Sequence, residues 1–219
     1  MTAASIEAAV EKAGLQPLTP DAARHFEIYL ELLLKWNARL NLTAIREPDG
    51  ILERHFLECI FAAQQLPSGI GTLLDFGSGG GFPGIPFAIC QPEIQVTLGE
   101  SQSKKAAFLR EVVRTLNLPN VYVFNGRVEA LNQKFAAVAL RAVDKMLEAC
   151  HAAELKIAPN GHFILFVTKD SAASLVAEFN QIAWTAPTPI PGSDQRILLV
   201  GRKALEHTNA DVPRGTTTA

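Results

Sequence analysis

The residues best suited to chemistry lie in one glycine-rich segment, which runs from Leu73 to Pro86 with the sequence LLDFGSGGGFPGIP. An apolar run ends there in Asp75, and five glycines follow between positions 77 and 84. Glycine lets a backbone approach a ligand without side-chain obstruction. Pro83 has the backbone angle of a first helical turn, and a helix that begins there would offer free N–H groups. The segment formally matches the dinucleotide fingerprint G-x-G-x-x-G, which alone is weak support for a nucleotide site.

Acidic side chains around these glycines favour a cationic ligand. Asp75 places a carboxylate where the pyrophosphate of a nicotinamide cofactor would lie, and Pro83 and Pro86 lack N–H donors. S-adenosylmethionine carries an ammonium group and a sulfonium and has no phosphate. Glu100 ends the next predicted strand, where acidic side chains accept ribose hydroxyls. Asp75, the glycine loop with Gly79, and Glu100 therefore predict an S-adenosylmethionine site, and the alternative is a tight turn with solvated acids.

Two further predicted strands end in residues that fit this site. Val128 and Glu129 follow the third strand, near the expected position of the adenine. Arg141 directly follows the fourth strand, at the carboxyl edge where such sheets bind ligands. The alternatives are that Glu129 caps a helical turn and that Arg141 pairs with Asp144.

Short apolar runs alternate with helical patterns after Gly71, which predicts an α/β fold with a parallel sheet covered on both faces. The predicted strands are Thr72 to Phe76, Gln95 to Leu98, Val121 to Phe124, Ala136 to Leu140, His162 to Thr168 and Arg196 to Gly201. The predicted helices are Gly84 to Cys90, Ser103 to Asn117, Asp144 to Ile157 and Ser171 to Gln181. A strand near Trp184 lies close to the last strand without a helix between them, which predicts an antiparallel edge hairpin.

The first seventy residues have helical periodicity instead. Thr19-Pro20-Asp21 is a helix start, Pro48 begins another helix, and Pro67-Ser68-Gly69 ends it. Residues 205–219 are polar and lack periodicity. We therefore expect a helical extension over residues 1–70, a catalytic domain over 71–204 and a disordered tail over 205–219.

Composition limits the class of protein. The chain has 219 residues, of which 48% are apolar, so wholesale disorder is excluded. Its apolar runs are too short to cross a membrane. The sequence does not open with a charged stretch followed by an apolar run, so we expect no signal peptide. The three cysteines and five histidines have no metal-ligand spacing, and we expect free thiols in a reducing cytoplasm and no metal. Residues 103–145 carry eight Lys/Arg against three Asp/Glu, which indicates a phosphate-binding surface or a solvated helix face.

The chain resembles the bacterial ribosomal RNA small subunit methyltransferase G family, also called glucose-inhibited division protein B. The motifs that carry the resemblance are KWNARLNLTAI from Lys35, RHFLEC from Arg54, DFGSGGGFPGIPFAI from Asp75, ESQSKKAAFLREV from Glu100, GRVEAL from Gly126 and LRAV from Leu140. The resemblance implies a class I, Rossmann-like fold of seven mostly parallel strands with a helical N-terminal extension. It also implies methyl transfer from S-adenosylmethionine to N7 of one guanine in the decoding region of 16S rRNA.

The resemblance further implies cofactor contacts at Gly77, Phe82, the Val128-Glu129 pair and Arg141. Glu100 stands where the family usually has Asp, and Glu58-Cys59 where Asp-Ser is common. Guanine N7 has a lone pair and no proton, so we expect no general base and a positioning role for Arg141. The residues expected to contact RNA are Lys104, Lys105, Arg110, Arg114 and Arg54, with Arg39 and Arg46.

The expected partner is 16S rRNA, the small ribosomal subunit or its precursor, and the expected protein is a cytoplasmic monomer. A small-molecule methyltransferase would share the cofactor site but does not explain the basic segment. A noncatalytic protein that binds the cofactor or the ribosome would also keep the cofactor site. A nicotinamide oxidoreductase would fit the glycine fingerprint but not the acidic residues around it.

Overall fold

A computed structural model describes residues 1–142 and 145–204. The helices are α1 (Ala3–Lys12), α2 (Pro20–Leu40), α3 (Pro48–Ile51), α4 (Glu58–Gln64), α5 (Gly84–Cys90), α6 (Ser103–Thr115), α7 (Met146–Glu154) and α8 (Lys169–Glu178). The strands are β1 (Thr72–Phe76), β2 (Gln95–Glu100), β3 (Val121–Asn125), β4 (Phe135–Arg141), β5 (Ile157–Thr168), β6 (Ile182–Trp184), β7 (Thr188–Pro189) and β8 (Arg196–Lys203). A π-helical segment over Leu52–Leu57 joins α3 to α4, and a 3-10 turn covers Val128–Ala130.

The strands form one sheet in the order β3-β2-β1-β4-β5-β8-β6. The first five of these pair in parallel, whereas β8 pairs antiparallel with both β5 and β6. This arrangement confirms the predicted parallel sheet and its antiparallel edge hairpin. The two-residue strand β7, which also pairs with β8, was not predicted.

The N-terminal helices pack mainly against α5 and α6 and share an apolar core with the sheet. Phe26 of α2 and Phe56 of the π-helical segment belong to the same apolar cluster as Phe87 of α5 and Leu98 of β2. A second cluster on the other face of the sheet includes Phe163 and Phe179. The division at residue 70 stays a prediction, and the predicted tail lies outside the described residues.

Local sequence signals predict the start of α2 correctly. The Thr19 hydroxyl accepts the Ala22 N–H, and Pro20 is the first residue of α2, as the sequence indicates. The prediction that the helix after β4 reaches Ile157 was wrong, because α7 ends at Glu154 and Ile157 already pairs with Phe135 in the sheet. The predicted start of that helix at Asp144 lies outside the described residues.

Candidate active site

The glycine-rich segment forms a loop between β1 and α5 at the carboxyl edge of the sheet. The N–H groups of Gly77 and Ser78 both donate to the carbonyl of Gly99 at 3.0 Å, which joins the loop to β2. Gly77, Gly79 and Gly81 have φ values of 77°, 55° and 95°, in the left-handed region that favours glycine. The loop therefore depends on these glycines for its backbone path.

Asp75 lies beneath this loop and is fully buried. Its Oδ2 accepts the N–H of Gly84 at 3.0 Å, whereas its Oδ1 has no hydrogen-bond partner among the described residues. Burial raises the pKa of Asp75 to about 7, although the Gly84 N–H favours the charged form. A side chain at position 84 would place its Cβ 2.7 Å from Oδ2. Asp75 thus fixes the start of α5 from below, whereas the sequence analysis placed its carboxylate in the mouth of the site.

Glu100, the last residue of β2, holds the loop from the other side. Its Oε2 accepts the N–H of Gly79 at 3.0 Å, and its Oε1 accepts the N–H of Gln102 at 2.7 Å. A carboxylate has about four lone-pair positions, so this one keeps acceptor capacity for a ligand. Glu100 also lines a cavity, so its remaining lone pairs can accept hydrogen bonds from a ligand bound there.

The cavity has a volume of about 450 Å³ and lies where β1, β2 and β3 end. Its volume is within the range of small-molecule sites. The residues that line it are Phe76, Gly77, Gly99, Glu100, Ser101, Gly126, Arg127, Val128, Glu129, Lys145, Glu148, Ala149 and Ala152. Four of the eight predicted cofactor residues, Gly77, Glu100, Val128 and Glu129, therefore line one cavity.

The other four predicted cofactor residues do not line it. The carboxylate of Asp75 accepts the N–H of Gly84, and the N–H of Gly79 donates to Glu100. Phe82 belongs to the loop, and its ring contacts Arg141. The Arg141 guanidinium is 5.7 Å from the centre of the Phe82 ring and 5.8 Å from that of Phe166, so it contacts two aromatic rings. The possible pair of Arg141 with Asp144 involves a residue outside the described ranges.

Among the described residues, Arg141 binds to the N-terminal helical region. Its Nη2 donates to Glu58 Oε2 at 3.0 Å and to the backbone carbonyl of Arg54, and it lies 3.0 Å from His55 Nδ1. The side chain of Arg141 is 11% exposed and that of Glu58 only 1%. The end of β4 is therefore held by the segment that contains RHFLEC.

His55 is neutral in this arrangement. Burial and the neighbouring Arg141 lower the pKa of His55 to about 3. Nδ1 of His55 is 3.1 Å from the carbonyl oxygen of Arg54 and 3.0 Å from Arg141 Nη2, and Nε2 is 2.7 Å from the hydroxyl of Thr43. The imidazole also stacks on Phe82 at 4.7 Å between ring centres. His55 thus connects the N-terminal helices, the glycine loop and β4.

The predicted RNA contacts are mostly surface residues. Lys104, Arg110 and Arg114 are exposed on α6 and Lys105 is half-buried there, while Arg54 is exposed. α6 begins three residues after Glu100, so its first turn lies close to a residue that lines the cavity. Arg39 and Arg46 are also exposed, on or after α2. Contact of any of these residues with RNA stays a prediction.

Sequence reasoning did not assign three residues that the structure brings to this edge. The Tyr29 hydroxyl of α2 donates to the carbonyl of Gly80, and burial raises the pKa of Tyr29 well above its usual value. Glu58 of α4 binds Arg141, and its sequence context indicates only a departure from the Asp that is common at that place in the family. Arg196, which contacts Glu58, begins the antiparallel strand β8 and so lies at the carboxyl edge of the parallel strands. The predicted hairpin could have placed Arg196 there, whereas nothing local marks Tyr29.

Residues 1–142 and 145–204 contain neither a metal-ligand cluster nor a membrane-spanning helix. Three or more His, Cys, Asp or Glu side chains do not come together in those ranges in a group that could hold a metal ion. No helix there combines the length and the apolar composition that crossing a membrane requires.

Known proteins resemble this chain in sequence and in structure. The family described as GidB, rRNA small subunit methyltransferase G, matches residues 22–187. A protein from Xanthomonas euvesicatoria named Ribosomal RNA small subunit methyltransferase G is 38% identical over 213 residues, which cover 92% of this chain and 97% of that protein. A protein of the same name from Chromobacterium violaceum is 37% identical over 187 residues, which cover 84% and 89%.

Solved structures agree in fold. The O-methyltransferase from Bacillus cereus, solved in complex with SAH, superposes with a TM-score of 0.58 at 19% identity, covering 91% of this chain and 97% of that one. A SAM-dependent methyltransferase from Aquifex aeolicus gives 0.55 at 16% identity, covering 70% and 92%. Together with the strand order, these likenesses confirm the predicted class I methyltransferase fold.

Proposed function

The chain belongs to the rRNA small subunit methyltransferase G family, and we propose from this premise that it transfers the methyl group of S-adenosylmethionine to N7 of one guanine in 16S rRNA. The observation that carries the proposal is the cavity at the ends of β1, β2 and β3, beside a glycine loop and the Glu100 carboxylate. Such folds bind their ligands at this edge.

The residues of the cavity fit the cofactor. Glu100 retains acceptor capacity for two ribose hydroxyls, and Val128 and Glu129 border the space for an adenine. A Cβ at position 99 would clash with the Val128 side chain and would lie 3.3 Å from the carbonyl of Asp75, so only glycine allows Val128 to pack this closely on β2 beside the cavity. Bound S-adenosylmethionine would supply an electrophilic methyl group on a positively charged sulfur.

The chemistry of N7 matches what the chain offers. The N7 lone pair lies in the plane of the purine and carries no proton, so the transfer requires no general base. Correct orientation of the reacting atoms alone can supply roughly 7–11 kcal/mol. Arg141, fixed by Glu58 and by two aromatic rings, is suited to orient a ligand at the end of β4. The low pKa of His55 suits it to a structural role beside Arg141.

The basic face of α6 supports an RNA substrate. This helix carries four basic residues, Lys104, Lys105, Arg110 and Arg114, and it follows Glu100 of the cavity in the sequence. Its one acidic residue, Glu111, pairs with Arg114 at 3.3 Å. We propose that this face binds phosphates while the unpaired target base enters the edge of the sheet. We also propose that the protein acts as a monomer in the cytoplasm, on the small subunit or its precursor.

The experiment that tests the function is methyl transfer in vitro. Purified protein is incubated with radiolabelled S-adenosylmethionine and small ribosomal subunits from a strain that lacks the gene, and the rRNA is digested and analysed by mass spectrometry. We expect one 7-methylguanosine per 16S rRNA. Naked 16S rRNA and a protein-free metabolite extract are run in parallel, and label that enters the extract instead of either RNA would indicate a small-molecule methyltransferase and contradict the proposal.

Arg141 is tested in the same assay. Arg141→Lys keeps a positive charge near Glu58 but loses the planar guanidinium, so its kcat/KM for rRNA should fall at least about 10-fold with little change in melting temperature. Arg141→Ala should lose about 100-fold or more. Its melting temperature should fall as well, because the buried Glu58 would lose a partner. A lysine variant with full activity would exclude a positioning role that depends on the guanidinium.

A further inference from the structure

Three arginines from distant parts of the chain surround one buried carboxylate. Arg141 Nη2 is 3.0 Å from Glu58 Oε2, and Arg54 Nε is 3.6 Å from Glu58 Oε1. Arg196 Nη2 also contacts Glu58 Oε1. Arg54 precedes Glu58 by one helical turn, whereas Arg141 and Arg196 come from β4 and β8. The arrangement therefore exists only in the folded protein.

The charges in this cluster do not balance. Within the described ranges, Glu58 is the only carboxylate within 4.0 Å of any of the three guanidinium groups. One negative charge thus faces three positive ones, and His55 adds none because its pKa is lowered to about 3. An excess of positive charge in a partly buried place is costly unless an anion completes it.

Unused donors and solvent access accompany this excess charge. The side chain of Arg54 is 54% exposed and that of Arg196 is 21% exposed, so both can reach a ligand from solvent. Arg196 Nε is buried and has no hydrogen-bond partner in the part of the chain that the structure describes. A guanidinium offers five N–H donors, of which Glu58 uses few.

The cluster also lies at the edge of the sheet that carries the cofactor cavity. Arg141 ends β4, and Arg196 is opposite Thr168 at the end of β5 because β8 runs antiparallel. The cavity lies at the ends of β1, β2 and β3, which are on the opposite side of β4 from β5 and β8. An anion held by Arg54 and Arg196 would therefore lie next to the position at which a methyl acceptor enters.

We propose that Arg54 and Arg196, held in place by Glu58, bind one phosphate of the RNA strand that presents the target nucleotide. The proposal rests on the proposed function, since it assumes an RNA substrate. An unstacked base enters an active site while its phosphate stays at the rim, and guanidinium groups bind phosphate oxygens in a bidentate manner. Glu58 is here a positioning residue, which orients the two arginines without contacting the RNA.

The test compares Arg54→Gln and Arg196→Gln with Arg202→Gln. Arg202 is a matched control because it is an exposed arginine of the same strand, β8, but lies opposite His162 at the other edge of the sheet. Binding of 16S rRNA is measured between 50 and 200 mM KCl, with the affinity for S-adenosylhomocysteine measured by calorimetry. Each of the two test variants should bind rRNA roughly 5- to 20-fold more weakly, with a salt slope lower by about 0.7–0.9. Affinity for S-adenosylhomocysteine should stay within about twofold.

A conservative variant separates charge from geometry. Arg196→Lys should restore the salt slope, because it keeps the charge, but recover the affinity only in part, because it lacks the planar fork. If Arg196→Gln melts early, Arg54→Gln decides the test, since the Arg54 side chain is more than half exposed.

Three results would overturn the proposal. Both variants could bind rRNA as Arg202→Gln does, which would leave the arginines with a purely structural role. Weaker binding of S-adenosylhomocysteine with an unchanged salt slope would assign the cluster to the carboxylate of the cofactor. A wild-type protein that neither binds nor methylates rRNA would refute the proposed function itself, whereas the first two results leave that function intact.

Discussion

The buried carboxylate of Asp75 should give the protein a pH-dependent stability that Asp75→Asn removes. Burial raises the pKa of Asp75 from 3.8 to about 7 in the folded protein. Between these two values the folded state holds a proton that the unfolded state has released. The contribution of Asp75 to the free energy of unfolding is therefore present at low pH and is lost as the pH rises through 7.

The size of the effect follows from the two pKa values. Linkage gives a contribution of about 2.7 kcal/mol at pH 5 and less than about 0.1 kcal/mol at pH 8. The asparagine has no such titration, and its amide oxygen can still accept the Gly84 N–H that Asp75 Oδ2 accepts. The free energy of unfolding of the wild type, minus that of Asp75→Asn, should thus fall by roughly 2–3 kcal/mol from pH 5 to pH 8.

Urea unfolding followed by tryptophan fluorescence at both pH values measures this difference. Asp194→Asn is the matched control, because Asp194 is an exposed loop residue and surface substitutions usually change stability by about 0.5 kcal/mol or less. A difference between wild type and Asp75→Asn that is the same at pH 5 and pH 8 would refute the assignment of a raised pKa to this carboxylate.

Three other variants test the site. Glu100→Gln replaces a charged acceptor of the ribose hydroxyls and of a loop N–H, so calorimetry should show S-adenosylhomocysteine affinity lower by roughly 10- to 100-fold, and unchanged affinity would remove Glu100 from the site. The double variant Lys104→Ala with Lys105→Ala should reduce the salt slope of rRNA binding by about one to two units and leave cofactor affinity within about twofold, and an unchanged slope would make these lysines a solvated face. Tyr29→Phe leaves a buried loop carbonyl without its donor, so urea unfolding should show a free energy of unfolding lower by about 1–3 kcal/mol. Tyr122→Phe is the control, because the Tyr122 side chain is 63% exposed and its loss of a hydroxyl should change this free energy little. Equal effects of the two substitutions would contradict the role of the Tyr29 hydroxyl.

Features set by local sequence were predictable. Thr19 and Pro20 mark the start of α2 because a cap and a first-turn proline act within a few residues. Glu100 could be placed at the cavity because the end of a parallel strand fixes its edge of the sheet. Ile157 was misplaced because a buried apolar residue fits the end of a helix as well as the start of a strand.

Features that depend on distant contacts were not predictable. The sequence could not show whether the Asp75 carboxylate faces a ligand or lies beneath the loop, because that depends on how the loop folds over it. The contacts of Glu58 join it to Arg141, which lies 83 positions away in the chain, and β8 brings Arg196 to the same carboxylate. Such clusters follow from the packing of the N-terminal helices on the rest of the fold, which periodicity alone does not define.

Mass spectrometry of 16S rRNA from a strain that lacks the gene tests the central claim most directly. The proposed function predicts that the strain lacks one 7-methylguanosine and that expression of the wild-type chain restores it, whereas expression of Glu100→Gln restores it poorly at limiting S-adenosylmethionine. A strain whose 16S rRNA retains every 7-methylguanosine of the parent would contradict it.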